Sequence, residues 1–213
     1  MNSSGPTWRS LRRRLEAAAF VVLLAACASA QVARPELGET AAGDLVADAL
    51  KAGTGAQVAF VQAAALQAVD LSVGAVGDLE PESLLTYPDE QVAVVEMKGD
   101  RVVAALERGL SALPRPQKGF LQVAGITVSY DPKAAPGSRV IRVMLGEKAL
   151  AASQTVRVAM PQSLARGHLG FFRVFNGLPR QDTGQTIREA VARYLAGRPA
   201  LPKPGERLRP SGG

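Results

Sequence analysis

An α+β fold, with mixed sheets and helices packed on them, follows from three features of this 213-residue sequence. Helical and strand-like patterns interleave irregularly instead of alternating one for one. Two apolar stretches broken by Gly125, Phe120–Val123 and Ile126–Tyr130, lead through the Pro/Gly loop Asp131–Ser138 into Val140–Leu145, which outlines a hairpin. Hydrophobic residues make up 47% of the chain, enough to fold one domain around a sizeable core.

The elements follow in order. Thr40–Ala52 places Leu45, Val46, Ala49 and Leu50 at helical spacing and stops at Gly53. Gln57–Val61 reads as a strand, and so does the apolar run Leu71–Val76. Gly77-Asp78-Leu79-Glu80-Pro81 reads as a turn into a short helix that ends before Pro88. Gln91–Met97 is a strand and Lys98-Gly99-Asp100 the turn after it. Arg101–Leu113 is a helix with Val102, Val103, Leu106, Leu110 and Leu113 on one stripe and Pro114 as its stop. After the hairpin come a strand at Thr155–Met160 and a last helix at Thr183–Leu195, with Ile187, Ala190, Val191 and Tyr194 on one face.

The ends differ from the middle. Four arginines up to Arg14 precede the apolar stretch Ala17–Ala26, which is too short to span a bilayer. Residues 1–26 read as an export signal. Leu24-Ala25-Ala26-Cys27 fits a bacterial lipobox, with Cys27, the sole cysteine, as the lipidated residue and the membrane as its partner. Cleavage after Ala28-Ser29-Ala30 is the alternative and gives a soluble exported or periplasmic protein. Residues 27–38 read as a tether, 39–197 as the domain, and 198–213 as a disordered, basic, Pro-rich tail. The formal charge of +6 sits in the leader and the tail, and acids balance bases between them. That distribution lacks the basic footprint of a nucleic-acid binder.

Motifs for chemistry are scarce. His168 is the only histidine, and no Asp-x-His, His-x-His or His-x-x-Glu pattern is present to build a two-metal site. No Gly-x-Ser-x-Gly turn and no Gly-rich phosphate loop occurs. No metal, cofactor or catalytic residue is therefore expected. Aromatic placement remains. Phe120 and Phe171 are flanked by glycine, in settings that can offer ring faces to a flat ligand or bury them in the core.

Several motifs recur in one order. They are Glu39-x-x-x-Gly43-Asp44-Leu45, Gly77-Asp78-Leu79 with Tyr87-Pro88, Val94–Gly99, Phe120–Gly125 with Tyr130-Asp131 and Pro136-Gly137-x-Arg139-Val140, and Leu164–Phe171. This set resembles the C-terminal, substrate-binding domain of 5'-nucleotidases, from about Glu39 to Leu195. The resemblance finds no counterpart of that family's metallophosphoesterase domain. It implies that Phe120 and Phe171 sandwich a nucleobase. It also implies lost charged clamps: one family arginine falls on Ala41, and the Asn-Gly-Gly-x-x-Arg loop falls on Gln62–Gln67. Gln62 and Gln67 are the expected polar replacements. The family's Gly-Gly-Asp-Gly becomes Gly167-His168-Leu169-Gly170.

Base stacking is worth ~1–3 kcal/mol per base, and a millimolar dissociation constant needs ~4 kcal/mol. Stacking alone thus implies weak binding of a nucleoside-like ligand. The implied protein is an exported lipoprotein, non-catalytic alone. Two alternatives stand beside it: a subunit that completes a nucleotide hydrolase with a metallophosphoesterase chain in trans, and a structural envelope protein without a ligand.

Overall fold

Phe60 and Val61 are neighbours in one short strand, yet they pack into different cores, and that division organises the fold. The computed structural model describes residues 33–71, 79–197, 204 and 207–211. In chain order the elements are α1 (Ala41–Thr54), β1 (Val58–Gln62), a 3-10 turn (Ala63–Ala65), α2 (Pro81–Leu84), β2 (Gln91–Lys98), α3 (Gly99–Leu110), β3 (Leu121–Ala124), β4 (Ile126–Tyr130), β5 (Val140–Leu145) and β6 (Lys148–Ala149). They continue with β7 (Thr155–Pro161), α4 (Gln162–Ala165), a 3-10 turn (His168–Gly170), α5 (Phe172–Phe175), β8 (Arg180–Thr186), α6 (Ile187–Ala196) and β9 (Leu208–Pro210).

The larger sheet has the order β3-β1-β7-β2-β8, with β1 parallel to β7 and the other pairs antiparallel. Side chains alternate across it. Ala59, Val61, Val92, Val94 and Ala159 face one core with α1 and α6, whereas Val58, Phe60, Val95, Val158 and Met160 face another with α3. The smaller sheet, β6-β5-β4-β9, adds Ile126, Val128 and Val143 to that second core. A strand buried on both faces is mostly apolar, which is why β1 reads as an apolar run from Val58 to Val61. The expected mixed α+β architecture is the one observed.

Gly125 is the pivot between the sheets. It sits at φ 81°, and a Cβ there would meet the Gln57 carbonyl oxygen at 2.1 Å. The chain thereby leaves β3 in the first sheet and enters β4 in the second, where β4 and β5 form the expected antiparallel hairpin. Gln122 anchors the other side of β3. Its Oε1 accepts from Thr40 N at 3.0 Å, and its Nε2 donates to the Pro35 and Gly38 carbonyls at 3.1 and 2.7 Å.

Three expectations need correction. Residues 180–186 are a strand, and the last helix starts only at Ile187. The strand is a polar sheet edge with no apolar alternation to announce it, while Thr186 and Glu189 close a capping box that fixes the helix start. Within the supposed tether, Pro35 is buried and Leu37 packs against the core. Residues 207–211 of the supposed tail also belong to the fold. Leu208–Pro210 pairs in parallel with β4, and Leu208 is 5% exposed.

The tail strand is held by a charge cluster. Arg207 Nη2 lies 2.7 Å from Asp48 Oδ2, and its Nε lies 3.6 Å from Asp44 Oδ1. Glu39 Oε2 accepts from the Arg207 and Leu208 amides at 3.0 and 2.6 Å. Burial pushes the Asp44 carboxyl up to about 8 although the Arg207 guanidinium pulls the other way, and Glu39 and Asp48 add to the rise. The leader 1–26, Cys27 and the run 72–76 lie outside the described residues.

Candidate functional site

The 3-10 turn after β1 forms one wall of an open groove. Ala63 N donates to the Phe120 carbonyl at 2.8 Å and Ala64 N to the Lys118 carbonyl at 2.9 Å, so two distant segments meet there. The groove encloses about 890 Å³, room for a ligand of nucleotide size. Gln62 is among its lining residues, 3% exposed, with Nε2 donating to Ser163 Oγ at 3.1 Å. Its Oε1 is buried without a hydrogen-bond partner. Ser163 N in turn donates to Glu90 Oε1 at 2.7 Å.

Around the rim, Lys118, Arg166 and His168 form no side-chain hydrogen bond or ion pair among the described residues. Acids are present too. Asp89 is engaged by Arg188 at 2.6 Å and Glu90 by Ser163, and Glu36 stands on the rim. Tyr87 lines the same groove and is 58% exposed, so it can offer its ring to a flat group. Among the described residues, no three His, Cys, Asp or Glu side chains converge as a metal-binding set.

Next to the groove lies an aromatic cluster. Phe171 stacks on Phe175 with centroids 5.6 Å apart and planes 7° from parallel. The Arg108 guanidinium carbon sits 5.7 Å from the Phe171 centroid. Leu169 packs against this cluster in the left-handed region at φ 56°, a conformation that costs a non-glycine residue ~1–2 kcal/mol.

The sequence model of the 5'-nucleotidase C-terminal domain matches residues 19–177. The chain belongs to that family. It is similar to human 5'-nucleotidase, with 31% identity over 111 residues, which is 48% of this chain and 19% of the human protein. It is also similar to the trifunctional nucleotide phosphoesterase YfkN of Bacillus subtilis, at 28% over 170 residues, 74% of this chain and 11% of that protein. Among solved structures, the 5'-nucleotidase precursor of Thermus thermophilus shares the fold with a TM-score of 0.69 and 24% identity. That match covers 98% of this chain and 45% of the other. The chain thus spans about a fifth or less of the curated relatives' length and under half of the solved one.

The 5'-nucleotidase C-terminal resemblance pointed to Phe120 and Phe171 as opposing walls of a slot, and here the structure requires a correction. Both rings are 0% exposed and lie within one hydrophobic core. Neither offers a face to a ligand. Two physical causes are visible. Gly119 lets the segments close up, since a Cβ there would lie 3.3 Å from Phe171 Cε2 and 3.6 Å from Leu169 Cβ. Leu169, where the family motif carries an acid, adds apolar packing to the core that holds both rings.

The polar pair also divides. Gln62 lies in the groove, whereas Gln67 is exposed, outside the groove lining, with its Nε2 3.5 Å from the Leu85 carbonyl. The loss of cations at family positions is only half of the pattern. Lys118 and Arg166 bring charge to the groove from other positions, and sequence reasoning missed them. A signal was there, because each lies within or directly before a recognised motif: Lys118 before Gly119-Phe120, and Arg166 inside Leu164–Phe171. Tyr87 was visible only as part of Tyr87-Pro88, with nothing to mark its ring as exposed.

Proposed function

We propose that this 5'-nucleotidase C-terminal domain is an exported, lipid-anchored ligand-binding module that performs no chemistry by itself. Its ligand is nucleotide-like, with a flat group and an anionic group. The observation that carries this reading is the groove itself, lined by the exposed Tyr87 and by Lys118 and Arg166, whose side chains have no partner among the described residues. One ring face contributes ~1–3 kcal/mol, and charge-assisted hydrogen bonds ~1.5–3 kcal/mol each.

Calorimetry with adenosine, AMP and a UDP-sugar tests it. AMP should bind at least tenfold more tightly than adenosine, and K118A and R166A should erase that difference. No heat at millimolar AMP, or equal affinity for adenosine and AMP, would end this reading.

A second reading has one observation in its favour. The relatives named as nucleotidases are far longer than the stretch they share with this chain. On that reading the domain completes a nucleotide hydrolase with a separate metallophosphoesterase chain. Phosphate release from AMP should then require both chains together. Release by this protein alone would overturn its non-catalytic role.

A further inference from the structure

We infer that the outer face of the smaller sheet docks on an anionic lipid bilayer, with Arg142 and Arg209 on the headgroups and Ile141 at the acyl boundary. The inference rests on the lipid-anchored reading only for the tether that keeps a bilayer near, and not for the face itself.

The two sheets are covered differently. The larger one carries a core on each face, whereas β6-β5-β4-β9 buries Ile126, Val128, Val143 and Leu208 on one face only. Alternation turns Thr127 and Ser129 of β4, Arg142 and Met144 of β5 and Arg209 of β9 to the other face. Register then lines them up. Ser129 stands opposite Arg142 on one side and Arg209 on the other, so two arginines flank a serine in one row across three strands. At ~4.8 Å between strands, the two arginine backbones lie ~10 Å apart. Both arginines are exposed, and no acid stands among these paired outer positions. The neighbouring acids lie beyond the rows: Glu147 in the β5–β6 turn, and Asp131 past the end of β4, where its Oδ1 accepts from the Lys133 amide at 2.8 Å.

A bulge supplies the apolar part. Pairing steps from Tyr130 opposite Val140 to Ser129 opposite Arg142, which leaves Ile141 as the extra residue of β5. A regular strand would bury Ile141 on the side of Val143, two residues on, yet it is 60% exposed. An aliphatic side chain beside arginines suits a bilayer surface, where the first enters the acyl boundary and the others stay with the phosphates. A free phosphate would meet the same arginines but leave Ile141 in water, so Ile141 decides for the bilayer. The tether makes a weak face sufficient. Cys27 lies six residues before Ala33, the first described residue, and six residues span at most ~20 Å when extended. A domain anchored there stays beside the bilayer, so a few contacts are enough to orient it.

Trp8 is the only tryptophan and lies in the leader, so I141W gives the mature chain a single reporter. The experiment follows its emission in vesicles of phosphatidylcholine alone and of phosphatidylcholine with about a third phosphatidylglycerol. The anionic vesicles should shift the emission to the blue, brominated acyl chains should quench it, and raised salt should reverse both. R142E with R209E should abolish the shift while circular dichroism stays unchanged. With Ile141 in place, hydrogen exchange at residues 140–144 should slow by about tenfold on anionic vesicles and not on neutral ones. An unshifted emission with unaltered exchange, or the same response in both kinds of vesicle, would overturn the docking face. Equal protection by inorganic phosphate alone would make it a free-anion site, and a blue-shifted dimer without vesicles would make it an interface between copies; either result overturns the bilayer. Mass spectrometry of Cys27 separates the two readings. No acyl chain with a responding face removes the anchor and keeps the face, and an acyl chain with a silent face does the reverse.

Discussion

Two charged regions of this domain use basic side chains in opposite ways. At the tail strand, Arg207 is gathered between Asp44 and Asp48, with Glu39 on the adjoining amides, and only a fifth of its side chain meets solvent. At the groove, Lys118 and Arg166 line open space with no hydrogen-bonded or ion-paired partner among the described residues. A buried charge needs its partners to offset desolvation, so the first cluster holds the fold together. A solvated charge needs none, so the second is free to meet a ligand. Basic residues thus divide by burial into those that stabilise and those that recognise.

The largest expected effect would break this comparison at its structural side. R207A leaves Asp48 without its cation and should cost about 3–5 kcal/mol, measured by urea unfolding. A loss under about 1 kcal/mol would mean that the tail strand is only decorative. F171A should cost a similar ~3–5 kcal/mol, because the ring is core. A near-neutral F171A would restore the exposed-ring picture that the fold contradicts.

A second effect is read as a slope with pH. The Asp44 carboxyl titrates near 3.8 when unfolded and at about 8 when folded. Between those values the native state keeps a proton that the unfolded chain has lost. Stability from this group is therefore fully present below pH ~4, falls as pH rises through the window, by up to ~1.4 kcal/mol per pH unit, and levels off above about 8. D44N should flatten that dependence, with urea midpoints at about pH 5 and pH 8 as the measurement. An unchanged slope in D44N would show that Asp44 is ionised throughout. Smallest of all, K118A and R166A should leave stability within about 0.5 kcal/mol. A larger loss would move those cations to the structural side of the comparison.

How far the sequence was legible depends on the kind of feature. Periodicity found α1, β1, β2, α3 and the β4–β5 hairpin, because each buries a regular stripe or face. It missed β8 and β9. The first is polar along an edge, and the second is three residues in a basic, proline-rich stretch whose only core side chain is Leu208. For the site, the motifs brought attention to the right segments but assigned the wrong atoms. They pointed to the Phe120 and Phe171 rings, whereas the groove receives the Lys118 side chain next to Phe120 and Arg166 and His168 next to Phe171.

By itself, the sequence determined the family, the mixed α+β architecture and the order of the principal elements, because hydrophobic spacing and short motifs are local properties of the chain. Only the tertiary structure decided that the two phenylalanines are interior, that Leu208–Pro210 pairs with β4, and that Lys118 and Arg166 line the groove with no side-chain partner among the described residues. Those outcomes depend on which residues far apart in sequence exclude water from one another. The Phe171 ring approaches the chain at 119 closely only because a glycine stands there, and an arginine at 207 becomes structural only when acids from a helix more than 150 residues away enclose it.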